Sequence, residues 1–254
     1  MRDKIKHNNK LFAFSCCLIA IGFLSCGKTP VCDCIDSAGT HTTQVQDVPF
    51  FNQIAVKDNV NVFITQGSPE SLTIEGGANL IKNIGANVDG AVLTLDNHNI
   101  CDWLRSYKKS IINVYITMPQ LISITNKGYG KVQSQGTITS DSLVLNTNNS
   151  SGDIQLDVNA RFINAHYFGT ADLILSGQCK IFETNFFGGT GFYYNSNLVV
   201  SDYAFISTNT TGDCYVNCNG TLQVAIFGAG NVYYSGNATA SYTNEGGSGK
   251  LIKQ

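Results

Sequence analysis

Charge is scarce in this sequence: Asp, Glu, Lys and Arg make up 13% of its 254 residues, against roughly 25% in an ordinary soluble domain. The formal net charge of −2 leaves no basic field to hold phosphates, which argues against a nucleic-acid binder. Methionine (2), proline (4) and tryptophan (1) are also rare. With so little Glu, Lys and Met, the usual builders of helices are missing. No apolar run is long enough to span a bilayer comfortably, the N-terminal one running from Leu11 to Leu24. What fills the gap is glycine (25 residues) with Asn, Ser and Thr, over an evenly spread hydrophobic content of 43% that excludes disorder. Such a composition belongs to a β-rich protein outside the cytoplasm.

The N-terminus explains that location. Arg2, Lys4, Lys6 and Lys10 precede the Leu11 to Leu24 core, and Ser25-Cys26-Gly27 follows it. This is the layout of a signal peptide, residues 1–25, ending in a lipobox whose Cys26 thiol takes the acyl chain. Gly27 and Lys28 after that cysteine point to the outer membrane, with the side it faces left open. Residues 26–48 are polar and aperiodic, as a tether is. With Cys16 and Cys17 in the leader and Cys26 acylated, Cys32, Cys34, Cys101, Cys179, Cys214 and Cys218 remain. An oxidising compartment permits disulfides among these six, but their spacing defines no connectivity. Cys32-Asp33-Cys34 lacks a second ligand pair, so no metal is expected.

From Phe50 the chain alternates apolar and polar residues, as half-buried strands do. Ile54 and Val56, then Val60, Val62 and Ile64, then Ile112, Val114, Ile116 and Met118 follow this period. Residues 49–119 therefore read as an N-terminal β region, interrupted by an insertion at 97–109 that holds Trp103. Beyond Pro119 the chain repeats. A small residue, any residue and an apolar one recur as Gly130-Lys131-Val132, Gly152-Asp153-Ile154, Ala171-Asp172-Leu173, Thr190-Gly191-Phe192, Gly212-Asp213-Cys214, Gly230-Asn231-Val232 and Gly249-Lys250-Leu251. A second glycine often stands two places earlier, as at Gly128, Gly169, Gly228 and Gly247. Units of about 20 residues cannot each form a core, but stacked coils can. Residues 120–254 are thus expected to form a parallel β-solenoid of about seven coils, with Val132, Ile154, Leu173, Val232 and Leu251 in one inward column. The fold class is all-β.

The order Phe51-Asn52-Gln53-Ile54-Ala55-Val56, Val60-Asn61-Val62-Phe63-Ile64-Thr65-Gln66-Gly67 and then the Gly-x-Gly-x-apolar units resembles the putative auto-transporter adhesin family with a head GIN domain. That family is common among Bacteroidetes lipoproteins. The resemblance runs from about Phe50 to Leu251 and implies a parallel β-helical domain with a role in adhesion. It supplies no catalytic residues.

The search for chemistry gives little. There is no G-x-S-x-G elbow, each G-x-G lacks a third glycine and a following helix, and His41, His98 and His166 have no recognisable partners, so no cofactor is expected. The register does bring Asp153 and Asp172 to one position on adjacent coils, about 5 Å apart. That is a retaining-glycosidase separation, yet Asp after Gly is also what a turn selects. The pair is thus a turn element, a cation site or the acids of a polysaccharide-active enzyme. Tyr193, Tyr215 and Tyr233 share an outward position on three successive coils, a ladder suited to stacking on sugar rings, to a protein partner, to self-association, or merely to covering its own sheet. A second column, Phe168, Phe187 and Phe227, just before the corners, reads as internal packing. Two functional classes remain. The favoured one is a non-catalytic envelope lipoprotein, held to the membrane by its lipid and binding glycan or protein; the rival is a lyase or glycosidase built on Asp153 and Asp172.

Overall fold

The computed structural model of the chain describes residues 37–99, 111–189 and 193–254, without the side chains of residues 193–196. The leader, Cys26, Cys32, Cys34, Cys101, Trp103, Phe192 and most of the 97–109 insertion lie outside the described residues. Strand accounts for 65% of the described residues and helix for 2%.

The described residues form seventeen strands. The first seven are β1 (His41–Gln46), β2 (Gln53–Val56), β3 (Asn61–Gln66), β4 (Ser71–Gly77), β5 (Ile84–Asp89), β6 (Val92–Asn97) and β7 (Asn113–Met118). One helical turn, α1 (Ala78–Ile81), follows β4. Then come β8 (Ser123–Asn126), β9 (Val132–Thr147), β10 (Ile154–Phe168), β11 (Leu173–Phe187), β12 (Tyr193–Asn209), β13 (Cys214–Cys218), β14 (Thr221–Ile226), β15 (Val232–Ser235), β16 (Thr239–Asn244) and β17 (Leu251–Lys253).

The long strands β9 to β12 bend midway, so each coil contributes to two sheets that meet at a glycine-rich corner on one side and at the bend on the other. Pairing from β9 onward is parallel throughout. In β10 the first limb turns Ile154, Leu156 and Val158 inward and the second limb Ile163, Ala165 and Tyr167, all buried. The period-two pattern of each limb thus fills one core between the two sheets.

The N-terminal region is continuous with this stack. β2 pairs in parallel with β8 and β3 with β9, so residues 53–66 form a coil directly against residues 123–134. Antiparallel strands close that end: β4 pairs β7 and β1 pairs β4 on one sheet, and β5 pairs β6 on the other. Burial of Leu80 and Ile81 in α1 completes the cover. At the opposite end β16 is exposed along its whole length, and Leu251 in β17 is only partly buried because it has a neighbour on one side alone.

Register corrects three expectations. In backbone register the column runs Val132, Ile154, Leu173, Tyr193, Cys214, Val232, Leu251. Tyr193, not Phe192, therefore occupies the column position in the fourth unit. The cluster Gly188-Gly189-Thr190-Gly191 offers two glycine frames one residue apart, and the chain uses the one starting at Gly189. Seven column positions enclose about six turns rather than seven coils. Finally, Phe168, Phe187 and Phe227 are not internal: they are 47%, 49% and 43% exposed. Strand parity is the reason, since their predecessors Tyr167, Phe186 and Ile226 take the buried positions.

Candidate functional site

The carboxylates at the corner act as rung ties. Asp153 Oδ1 accepts the backbone N–H of Asp172 at 3.0 Å, and Asp213 Oδ1 accepts that of Asn231 at 2.8 Å. Asn61 accepts from Lys131 N–H at 3.0 Å and Asn231 from Lys250 N–H at 3.1 Å in the same way. An Asx side chain just before the inward column thus satisfies a backbone donor of the next coil, which the parallel ladder alone leaves open at a corner. Asp153 and Asp172 do lie on adjacent rungs, joined through that main-chain bond. Among the described residues no three His, Cys, Asp or Glu side chains gather as metal ligands. His41 lies 3.6 Å from Glu75 and His98 3.0 Å from Asp96, both on the surface, while His166 is exposed elsewhere.

Among the described residues the thiols are no better placed as nucleophiles. Cys179, Cys214 and Cys218 are free and buried. Burial pushes the Cys179 and Cys214 thiols up to about 12, and nearby acidic groups add to the effect. A folded-state value above the ordinary 9 stabilises the fold below pH 9, and that stability is lost as pH rises toward 12, because only the unfolded chain ionises in between. Stability should therefore fall by up to about 1.4 kcal/mol per pH unit per thiol in that window. Urea unfolding between pH 8 and pH 11 checks this: the slope should flatten in a Cys179→Ala, Cys214→Ala variant, and an unchanged slope would refute it.

The outer face of the first sheet carries the aromatic column. Its register runs Tyr115, Phe63, Gln133, Gln155, Ile174, Tyr194, Tyr215, Tyr233, Ile252. Of the three tyrosines expected, Tyr215 and Tyr233 fall together on it, while Tyr193 shares the position of buried Leu173 and Cys214 and the backbone of Tyr194 takes its place. The Tyr215 and Tyr233 rings stack with centroids 5.0 Å apart and planes 12° apart, both half-buried. On the opposite, core-directed face Tyr234 follows buried Val216 in register, and at the open end of the stack Lys253 Nζ lies 5.9 Å from its ring centroid. At the other end Phe63 stacks on Tyr115 at 5.0 Å. Glu75, hydrogen-bonded to the Tyr115 hydroxyl, together with burial holds that phenol above its ordinary range. Sequence reasoning missed this second pair, although Phe63 and Tyr115 each stand between two inward residues of an alternating strand.

Along the bend, on the far edge of the same sheet, runs an open groove of about 460 Å³ crossing four coils. Thr139, Asn159 and Gln178 line one wall and Asp141, Arg161 and Lys180 the other. Gln178 donates to Asn159 at 3.1 Å, and Arg161 makes a two-point contact with Asp141, Nε to Oδ1 at 2.6 Å and Nη2 to Oδ2 at 3.1 Å. The described surface offers stacked rings, amides and hydroxyls, the groups that hold sugars or peptide backbone.

Known structures share this architecture. A putative adhesin from Bacteroides fragilis superposes with a TM-score of 0.76 at 24% identity, covering 85% of this chain and 97% of its own. A putative adhesin from Parabacteroides merdae gives 0.62 at 16% identity over 85% and 97%. A putative lipid binding protein from Parabacteroides distasonis gives 0.60 at 16% over 87% and 99%. No curated protein matches the sequence. The family model described as putative auto-transporter adhesin, head GIN domain, matches residues 50–238, nearly the whole solenoid with its cap, and the chain belongs to that family.

Proposed function

We propose that the protein is anchored to the outer membrane by an acyl chain on Cys26 and acts at the cell envelope as a non-catalytic binding element, its aromatic column taking up glycan or protein in adhesion. The observation that carries this reading is the stacked, half-buried pair Tyr215 and Tyr233 on an outward face otherwise rich in amides. Rings already ordered by their neighbours offer contact area at little entropic cost. The adhesin description of the family supports the same reading. The rival enzyme needs two carboxylates free to act on a glycosidic oxygen, and the tie from Asp153 to the next coil counts against it.

Two measurements test the proposal. Palmitate labelling should be lost in Cys26→Ala, and equal labelling of both chains would remove the anchor. A Tyr194→Ala, Tyr215→Ala, Tyr233→Ala variant should lose binding to a glycan array or to host cells by about tenfold or more while remaining folded. Unchanged binding would sink the assignment of this face. Release of new reducing ends or unsaturated sugars from a polysaccharide panel, abolished by Asp172→Asn, would replace the binding reading with catalysis.

A further inference from the structure

We propose that the corner row Phe168, Phe187 and Phe227 beds into the surface of a lipid bilayer, so that the solenoid lies on its side against the membrane. The membrane is the one entered by the acyl chain on Cys26, and to that extent the inference rests on the anchoring proposed above.

Three phenylalanines near half exposure in a single row are unusual on a surface otherwise so polar. Phe168 pairs in register with Phe187, and Phe187 with Asn209. Phe227 follows at the level of Asn209, its N–H bonded to Thr208 O at 2.8 Å. The row therefore spans three rungs, about 14 Å at the ~4.8 Å spacing of paired strands. The adjoining outward column of the same sheet is His166, Asn185, Ser207, Ala225 and Thr243. That column holds no large apolar residue, so the three phenylalanines form a row at its edge, whereas Val45, Phe50, Val199 and Tyr242 are exposed singly elsewhere.

That edge is also where the tether arrives. His41 at the start of β1 lies opposite Gly77, Glu75 opposite Asn113, and Asn113 opposite Asn61, whose side chain accepts the Lys131 N–H at the corner. The described chain therefore begins at the capped end of the same corner, about five rungs or ~25 Å from Phe168. From Cys26 to Ser37 is about a dozen residues, an extended reach of at most about 40 Å. The acyl chain and the phenylalanine row can then enter one plane.

Between the two lie Tyr129, 69% exposed, and the exposed Lys57, Lys127 and Lys131, residue types that sit well at headgroup level. Asp58, Asp153, Asp172, Asp213 and Glu245 lie at or beside the same corner and offset those lysines. Apolar burial rather than attraction to anionic lipid therefore carries the contact.

The test uses phosphatidylcholine vesicles. In the full chain carrying Cys26→Ala, the triple variant Phe168→Ser, Phe187→Ser, Phe227→Ser should lower vesicle partitioning by about tenfold or more. Its melting temperature should stay close to that of the parent. In a Trp103→Phe background, fluorescence of Phe187→Trp should shift to the blue and be quenched by brominated phosphatidylcholine, while Lys180→Trp at the opposite bend should not respond. Equal responses at the two positions, or unchanged partitioning of the triple variant, would overturn the proposal. So would concentration-dependent self-association without vesicles that the triple variant abolishes, since the row would then join copies of this chain. A wild-type chain that takes up no palmitate, while its unacylated form still partitions through the row, would end the anchoring reading and leave this one standing.

Discussion

Gly230→Ala is expected to destabilise the protein by roughly 3 kcal/mol or more, enough to lower the urea midpoint sharply or prevent folding. Gly230 does not sit in the left-handed region, so the reason is space. A Cβ there would stand 1.9 Å from the carbonyl oxygen of Gly212 on the neighbouring coil and 2.7 Å from its carbon. Both obstacles are backbone, fixed by the ladder on either side, so relief would require parting two coils. Gly90→Ala is the control. Gly90 has φ +61 but nothing within 4 Å of its added Cβ, so only conformational strain of about 1 kcal/mol is expected. Ala171 occupies the same row as Gly230 without harm, in a coil whose preceding Gly169 runs at φ +135 and carries the corner on a different path. If Gly230→Ala and Gly90→Ala prove equally mild, the corner is not limited by close backbone approach.

That crowding explains why the repeat was legible in the sequence at all. Glycine returns because coils touch backbone to backbone at each corner, and apolar residues return because each limb has one inward face. Val132, Ile154, Leu173, Cys214 and Val232 could be aligned by eye for this reason. The fourth unit failed where three glycines lie within four residues: spacing cannot choose between adjacent frames when every candidate corner residue is small. A shift of one residue exchanges the two faces of a strand. It was enough to put Tyr193 in the place of Tyr194 within the candidate site.

The phenylalanine row was misread for a different reason. Hydrophobicity suggested burial, whereas parity within Tyr167-Phe168, Phe186-Phe187 and Ile226-Phe227 already allowed only one residue of each pair to face the core. The groove at the bend carried no sequence signal. It is made by polar residues from separate coils whose neighbours in sequence look like ordinary outward positions, and only the bend of the long strands brings Asp141, Arg161 and Lys180 into one wall. The Asx ties were visible as Gly-Asp and Gly-Asn pairs, but their acceptor role depends on the coil above.

One buried polar residue binds these corners most tightly, and Asn126→Leu is expected to cost about 3–5 kcal/mol. Asn126 is fully buried. Its Nδ2 donates to Gly130 O at 3.1 Å and to Gly152 O at 2.8 Å, and its Oδ1 accepts the Gly128 N–H at 3.0 Å. One side chain thus closes its own corner and fastens it to the next coil. Shape is not the obstacle to leucine, because the same register position holds Thr147, Tyr167, Phe186, Thr208 and Ile226 in later coils. Those coils draw on other ties, such as Ser150 Oγ to Gly128 O at 2.8 Å and Thr210 Oγ1 to Gly212 O at 3.0 Å. In Asn126→Leu the Gly130 carbonyl and the Gly128 N–H would lose this partner without gaining water, and the Gly152 carbonyl would keep only the long 3.4 Å contact from Ser150 Oγ; each such loss costs on the order of 1 kcal/mol or more. Urea unfolding gives the total, and amide exchange locates it: the Gly128 amide should exchange markedly faster, while amides in β14 and β15 keep their protection relative to the global stability. A loss below about 1 kcal/mol, or faster exchange spread evenly over all coils, would mean that apolar stacking alone holds the corner and that the asparagine is incidental to it.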